Sequence, residues 1–200
     1  MNCRFCMFFF SPFRLATGRH MVLFFLFGGW QLFPDGNRQE LSGEEPEKAP
    51  LMAYVGTFSA PLKDTLPTQV DLPPGNGRGI HLFRVDRETG VLSEAGVFES
   101  GTSPSRLVVN HDGTRMYSAN ETDRFKGTKE GTVSSFVIDR KSGQLKLQST
   151  VPSGGAGPTY VSIHPSRRFL LVANYFGGSV SVVPIKDNGE LGLATDVKVT

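Results

Sequence analysis

The chain has 200 residues, which is enough for one or two folding units. It carries 21 lysines and arginines against 19 aspartates and glutamates, a formal net charge of +2 at pH 7. This surplus is too small for nucleic acid or an acidic membrane surface to be the expected partner, and it leaves a small neutral or anionic ligand open.

The first fifty residues differ in character from the rest and form a separate predicted segment, 1–50. MVLFFLFGGW, residues 21–30, follows several basic residues as in an export signal, but no Ala-x-Ala cleavage site comes after it. A signal and an upstream mis-start both fit this pattern, so an exported and a cytoplasmic location both stay open. Ten apolar residues are too few for a spanning helix, which needs roughly 18, so no stable membrane insertion is expected.

The remainder of this segment carries no predicted chemistry. Residues 34–50 are polar and rich in Pro, Gly and Glu, a composition typical of a disordered tail. Cys3 and Cys6 form a C-x-x-C pair, but a zinc site needs a second pair of ligands and a redox motif needs a surrounding βαβ unit. The sequence therefore predicts no metal site.

The second part of the chain repeats itself. PSRLVVNHDGTRMYSAN (104–120) aligns without a gap with PTYVSIHPSRRFLLVAN (158–174), at an offset of 54 residues. VDRETGVL (85–92) aligns with IDRKSGQL (138–145), and IKDNGEL (185–191) provides the same turn a third time. Periods near fifty, with short apolar or alternating runs between turn residues, are typical of β-propeller blades.

Each repeat unit is predicted to contain four strands in an antiparallel meander. In the best-defined unit they are expected at 105–110, 115–119, 132–138 and 144–151. The turns between them contain Asp, Gly, Pro and Ser, which suit tight hairpins. Leu51–Ser59 matches the second strand of a unit, so the chain is expected to enter its first blade midway.

The predicted fold class is all-β, a β-propeller of four-stranded antiparallel blades over residues 51–200. Half a blade, one full blade and a second ending around Thr200 give about two to three blades. Since closed propellers have roughly four to eight blades, the chain is expected to be the N-terminal part of a longer propeller. Its oligomeric state is left open.

Residues 51–200 also resemble a known family. YVGTF, GIHLFRVDRETGVL, SPSRLVVNHDGTRMYSANE, GTVSSFVIDRKSGQL and GPTYVSIHPSRRFLLVANYFGGSVSVVPI are similar to the bacterial-type 6-phosphogluconolactonases. These belong to the lactonase family of seven-bladed propellers, whose fungal relatives include a carboxymuconate-lactonizing enzyme. The resemblance implies hydrolysis of a sugar-acid lactone, most simply 6-phosphogluconolactone, without metal or organic cofactor.

Two alternatives accompany this resemblance: a muconate-type lactone-forming reaction, and a propeller that binds a ligand or protein without catalysis. The resemblance also implies that the family's catalytic His, Arg and Glu lie beyond Thr200. The 200-residue chain by itself is therefore expected to be an inactive fragment, while the full-length protein is expected to be an enzyme.

The meander predicts where a site would form. The end of strand two and the start of strand one lie on the same face of a blade, so residues 120–124 and 174–178 should cluster with 103–106 and 157–160. Loops that converge on one face of a rigid scaffold are the preferred place for a ligand.

Lactone hydrolysis needs a base to activate water, donors for the oxyanion and a cation for any substrate phosphate. Glu121 directly follows an Ala-Asn strand end and is the candidate to orient water; the alternative is a solvated residue paired with Arg124. Arg106 is the candidate cation, or else an inter-blade partner. Tyr160 takes the corresponding place in the next blade and can donate a hydrogen bond.

Asn120 and Asn174 occupy equivalent positions at the ends of two strands. Each is predicted either to bind a ligand or to close a local Asx turn. His111 and His164 fall in the hairpins that join strands one and two, on the opposite face, and are predicted to be turn residues.

Overall fold

The computed structural model describes residues 49–59, 77–122 and 126–200. Within these ranges the chain forms eleven β-strands and no helix. The predicted signal-like run and all but the last two residues of the predicted tail lie outside the described residues, and so does Arg124.

The strands form three antiparallel sheets, each a meander in chain order. The first contains β1 (Met52–Gly56), β2 (Gly79–Val85) and β3 (Leu92–Glu99). The second contains β4 (Pro104–Val109), β5 (Arg115–Asn120), β6 (Thr132–Ile138) and β7 (Leu145–Pro152). The third contains β8 (Pro158–Ile163), β9 (Phe169–Asn174), β10 (Ser179–Pro184) and β11 (Asp196–Val199).

This architecture confirms the predicted propeller blades. The four strands predicted for one unit are those of the second sheet, and each predicted boundary agrees with the observed one to within one residue. The first sheet lacks a strand equivalent to β4, so the described part of the chain enters its first blade at the second strand, as the repeat predicted.

The repeated Asp-containing turns are held by the aspartate side chains. Asp86 Oδ1 accepts hydrogen bonds from the backbone N–H groups of Glu88 and Thr89, at 3.0 and 2.7 Å. Asp139 Oδ1 accepts the equivalent bonds from Lys141 and Ser142, at 2.8 and 2.9 Å. These backbone donors lower the pKa of both carboxyls, because they stabilise the charged form.

The central strands of the second sheet, β5 and β6, are buried on both faces. Towards the first sheet it packs apolar side chains that include Met116 and Phe136, which meet Ile80. Towards the third sheet it packs a second cluster that includes Tyr117 and Leu170. β5 lies between the two clusters, which explains why it is buried from its second residue to its end, the polar Ser118 and Asn120 included.

A buried hydrogen bond also links the first two sheets. The Tyr54 hydroxyl donates to the carbonyl oxygen of Gly143, in the turn between β6 and β7, at 2.8 Å. Burial raises the pKa of Tyr54 to about 12, because the phenolate would be poorly solvated there.

We expect Tyr54→Phe to lower the free energy of unfolding by about 1 kcal/mol, because the buried carbonyl of Gly143 loses its donor. Urea denaturation of the variant and of wild type measures the difference. Tyr160→Phe is the matched control, since Tyr160 is 47% exposed and its hydroxyl can be hydrated. Equal losses in the two variants would contradict a stabilising role for the Tyr54 bond.

Candidate functional site

Backbone hydrogen bonds bring the predicted loop segments together on one face. The N–H of Glu121 donates to the carbonyl of Ser103, and the N–H of Tyr175 donates to the carbonyl of Gly157, both at 2.8 Å. Gly157 in turn donates to the carbonyl of Thr122, at 2.8 Å. The strand ends of the second and third sheets therefore meet at Gly157, which confirms the predicted clustering.

The close approach of these loops depends on two glycines. A Cβ at Gly131 would collide with the carbonyl of Thr122 and the ring of Pro158. A Cβ at Gly157 would collide with the ring of Phe176, and Gly157 also has a positive φ of 58°. Only glycine fits both requirements at position 157.

Arg106 and Tyr160 contact each other across the boundary between the second and third sheets. The guanidinium carbon of Arg106 lies 4.4 Å from the centre of the Tyr160 ring, which is a cation–π contact. Of the two roles considered for Arg106, inter-blade pairing is thus present in the structure. The same contact holds the guanidinium beside a ring that is 47% exposed.

Glu121 is partly buried at the end of β5. Desolvation raises the pKa of its carboxyl above the usual glutamate value, because burial disfavours the charged form. The nearby hydroxyl of Ser105 acts in the opposite direction and lowers this pKa, but the effect of desolvation is the larger of the two. A carboxyl with a shifted pKa that lies where loops converge is typical of a functional site.

Asn120 is only 1% exposed, and its side chain organises the second sheet. Ser118 Oγ donates to its Oδ1 at 2.8 Å, and its Nδ2 donates to the hydroxyls of Thr132 and Ser134 at 2.9 and 2.8 Å. The amide is therefore used across the sheet rather than in the predicted Asx turn. Its position fixes the strand end from which Glu121 projects.

Asn174 occupies the same position in the third sheet but is less fully bonded. Its Nδ2 donates to the hydroxyls of Ser181 and Ser179 at 2.8 and 3.2 Å, again in place of an Asx turn. Its buried Oδ1 accepts no hydrogen bond from the described residues. The reason is visible in the repeat, because Val172 stands where the second sheet has Ser118.

The two turn histidines lie on the opposite face, as predicted. His164 Nδ1 is 2.9 Å from Ser166 Oγ and accepts a hydrogen bond from the Ser166 backbone N–H at 3.2 Å. His111 is exposed in the turn between β4 and β5. No described group of three or more His, Cys, Asp or Glu residues is arranged to hold a metal ion.

Tyr175 is the side chain on this face that the sequence reasoning did not single out. It is 67% exposed and takes the place in the third sheet that Glu121 takes in the second. The repeat could have revealed this residue, because positions 121 and 175 are separated by the 54-residue offset. A single tyrosine outside any motif, however, gives no other sequence signal of a functional role.

Comparison with known proteins identifies the family. The model of a family described as "Lactonase, 7-bladed beta-propeller" matches residues 52–200. The chain belongs to this lactonase family. The described part of this lactonase-family chain contains no helix that is long and apolar enough to cross a membrane.

Relatives named 6-phosphogluconolactonase are similar to this chain over part of their length. The 6-phosphogluconolactonase of Bacillus subtilis is 29% identical over 140 residues, covering 70% of this chain and 35% of the relative. That of Formosa agariphila is 30% identical over 138 residues, covering 69% and 35%. The chain thus spans about a third of the length of these relatives.

Solved structures agree with this assignment. One from Bacteroides fragilis has a TM-score of 0.62 and 32% identity, over 77% of this chain and 37% of that one. The periplasmic gluconolactonase of Pseudomonas aeruginosa has a TM-score of 0.59 and 29% identity, over 74% and 38%.

We expect Val172→Thr to be tolerated in this chain, because the new hydroxyl can donate to Asn174 Oδ1 as Ser118 does to Asn120. The matched control is Val183→Thr, a fully buried valine surrounded by apolar groups. The control should lose about 1–3 kcal/mol in urea denaturation, and Val172→Thr clearly less. Equal losses would show that a hydroxyl at position 172 does not reach the amide.

We expect Glu121→Gln to stabilise the protein at about pH 7, because the folded state holds the pKa of this carboxyl above the ordinary 4.5. The neutral Glu121 carboxyl contributes fully to the free energy of unfolding below that ordinary pKa. This contribution is lost as the pH rises through the higher pKa that the carboxyl has in the folded state. The difference in Tm between variant and wild type should therefore shrink towards zero near pH 4.

Glu88→Gln, in an exposed turn, is the control and should change Tm little at either pH. If Glu121 instead formed an ion pair with Arg124, the change in Tm would have the opposite sign, and the Glu121→Gln variant would be less stable than wild type at neutral pH. That result would assign Glu121 to a structural role.

Proposed function

We propose that the protein hydrolyses a lactone of a sugar acid, with 6-phosphogluconolactone as the first substrate to test. The observation that carries the proposal is Glu121, a partly buried carboxyl with a raised pKa where the loops of two blades converge. Membership of the lactonase family, and relatives named 6-phosphogluconolactonase, support the choice of reaction and substrate.

In the proposed reaction, Glu121 takes a proton from a water molecule, a role that the resemblance alone assigns to residues beyond Thr200, and the water oxygen attacks the lactone carbonyl carbon. The tetrahedral intermediate then collapses, the ring C–O bond breaks, and the released oxygen takes up the proton that Glu121 had accepted, which gives the hydroxy acid and restores the carboxylate. A raised pKa favours this role, because it makes the carboxylate a stronger base.

Arg106 and Tyr160 are proposed to bind the substrate next to this base. A guanidinium presents several donors in a planar fork and suits a phosphate or a carboxylate. The Tyr160 ring keeps that guanidinium in one orientation, so less conformational entropy is lost on binding.

Asn120 and Asn174 are proposed to act as positioning residues. Both side chains are 1% exposed and their amides bond to buried groups of the protein, so they fix the strand ends rather than reach a ligand themselves. We further propose a domain boundary near residue 51, since the family match starts at residue 52 and β1 starts at Met52.

The test is a lactonase assay on the protein isolated from its source, with freshly made 6-phosphogluconolactone followed against its spontaneous hydrolysis. We expect catalysis above that background, and a fall of about a hundredfold in kcat for Glu121→Gln, with Glu88→Gln unchanged. A wild-type protein at the spontaneous rate would refute the function. Full activity in Glu121→Gln would show that another residue acts as the base.

Residues 1–200 produced alone provide a further comparison. The described residues form three sheets, whereas the family's propeller has seven blades whose loops surround one axis. We therefore expect this polypeptide to remain at the spontaneous rate. Activity equal to that of the isolated protein would show that these sheets are sufficient.

A further inference from the structure

Two neighbouring blades present different chemistry at equivalent positions of the same face. The second sheet carries a cation and a carboxyl, Arg106 and Glu121. The third sheet carries aromatic rings at the positions 54 residues later, Tyr160 and Tyr175. Both rings are well exposed, at 47% and 67%.

Tyr175 is held by a ring contact with Phe176 and by a backbone hydrogen bond to Gly157. The adjacent ring of Phe176 contacts it edge to face, with centroids 5.5 Å apart and planes at 65°. Phe176 lies over Gly157 so closely that a Cβ there would collide with it, and the N–H of Tyr175 bonds to the carbonyl of Gly157. The exposed ring is thus attached to a fixed backbone, which lowers the entropic cost of using it to bind a ligand.

The backbone segments that carry the aromatic and charged groups are joined by hydrogen bonds. Gly157 bonds through its N–H to the carbonyl of Thr122, the residue after Glu121, and through its carbonyl to Tyr175. Glu121 and Tyr175 therefore flank the same glycine. Tyr160 lies in β8, which begins at the next residue, and stacks on Arg106.

We propose that Tyr175 and Tyr160 form an aromatic wall that packs against the C–H face of a cyclic sugar-acid ligand, while Arg106 binds its anionic end. This inference rests on the proposed function and deepens it, because it names the recognised part of the substrate as the closed ring. The face of an aromatic ring is electronegative, and the C–H groups of an oxygen-bearing ring are polarised to meet it.

The size of the wall favours a small ligand over a protein. A tyrosine can bury roughly 150–250 Å², so two partly exposed rings offer well under the roughly 800 Å² per partner of a stable protein interface. A single sugar ring matches this area, and the cation beside it matches a substituent acid.

The direct test observes the tyrosines in the protein labelled with fluorotyrosine. The chain has four tyrosines, and Tyr54 and Tyr117 are buried in the apolar clusters. Single Tyr→Phe variants assign the ¹⁹F signals. The probes are gluconolactam, a cyclic analogue that resists hydrolysis, open-chain gluconate and inorganic phosphate.

We expect gluconolactam to shift the signals of Tyr175 and Tyr160 and to leave the two buried ones in place. Phosphate should shift Tyr160 through Arg106 but not Tyr175, and gluconate should shift Tyr175 less than the lactam does. The proposal would be overturned if the ¹⁹F shift of Tyr175 did not change at saturating lactam, or if gluconate changed it by the same amount.

Kinetics provide the second measurement. Tyr175→Leu should raise KM roughly three- to tenfold with kcat little changed, whereas Tyr175→Phe should keep the wild-type KM because stacking uses the ring face. Leu193→Ala, another exposed apolar side chain at 70% exposure, is the control and should behave as wild type.

These results separate the two proposals. Lactam binding at Tyr175 without lactone hydrolysis would refute the enzymatic function and leave the aromatic wall intact. Lactone hydrolysis with an unchanged KM in Tyr175→Leu and an unmoved Tyr175 signal would refute the wall and leave the function intact.

Discussion

The packing of the second sheet between two others is the constraint on which the other features depend. Met116 faces one neighbour and Tyr117, the next residue, faces the other, and both are buried. A strand in this position has no solvent-facing side, so a charged group in its middle would be buried without water. Chemistry is therefore confined to the strand ends and the loops beyond them, which is where Glu121 lies.

The same burial explains the polar ladder inside the sheets. Asn120 lies where the apolar cluster ends, and three hydroxyl groups satisfy its amide. Asn174 repeats the position with one hydroxyl fewer, and its carbonyl oxygen stays unpaired within the described ranges. A buried acceptor without a donor costs free energy, so the third sheet reaches the same backbone geometry with a less complete network.

Sequence reasoning predicted the fold well because its signals are local. Apolar runs, Asp-containing turns and the 54-residue offset each act within one blade, and they placed the strands of the second sheet to within one residue. The site was harder, because its contacts join residues distant in sequence. Asn120 was expected to bind a ligand or to close a local turn, yet its amide bonds to Thr132 and Ser134 on the neighbouring strand. The stacking of Arg106 on Tyr160 depends on how two blades pack, which no local pattern encodes.

The location of the site at a blade boundary links its geometry to the core. Arg106 belongs to the second sheet and Tyr160 to the third, and the apolar cluster between these sheets sets their separation. Interiors are close-packed, so a change of even one methylene group in that cluster affects the packing between the two sheets. The 4.4 Å contact between the Arg106 cation and the Tyr160 ring depends on that packing. A substitution in the core would therefore alter the proposed ligand contacts indirectly. The geometry of the proposed site thus depends on inter-blade packing as well as on the side chains of this face.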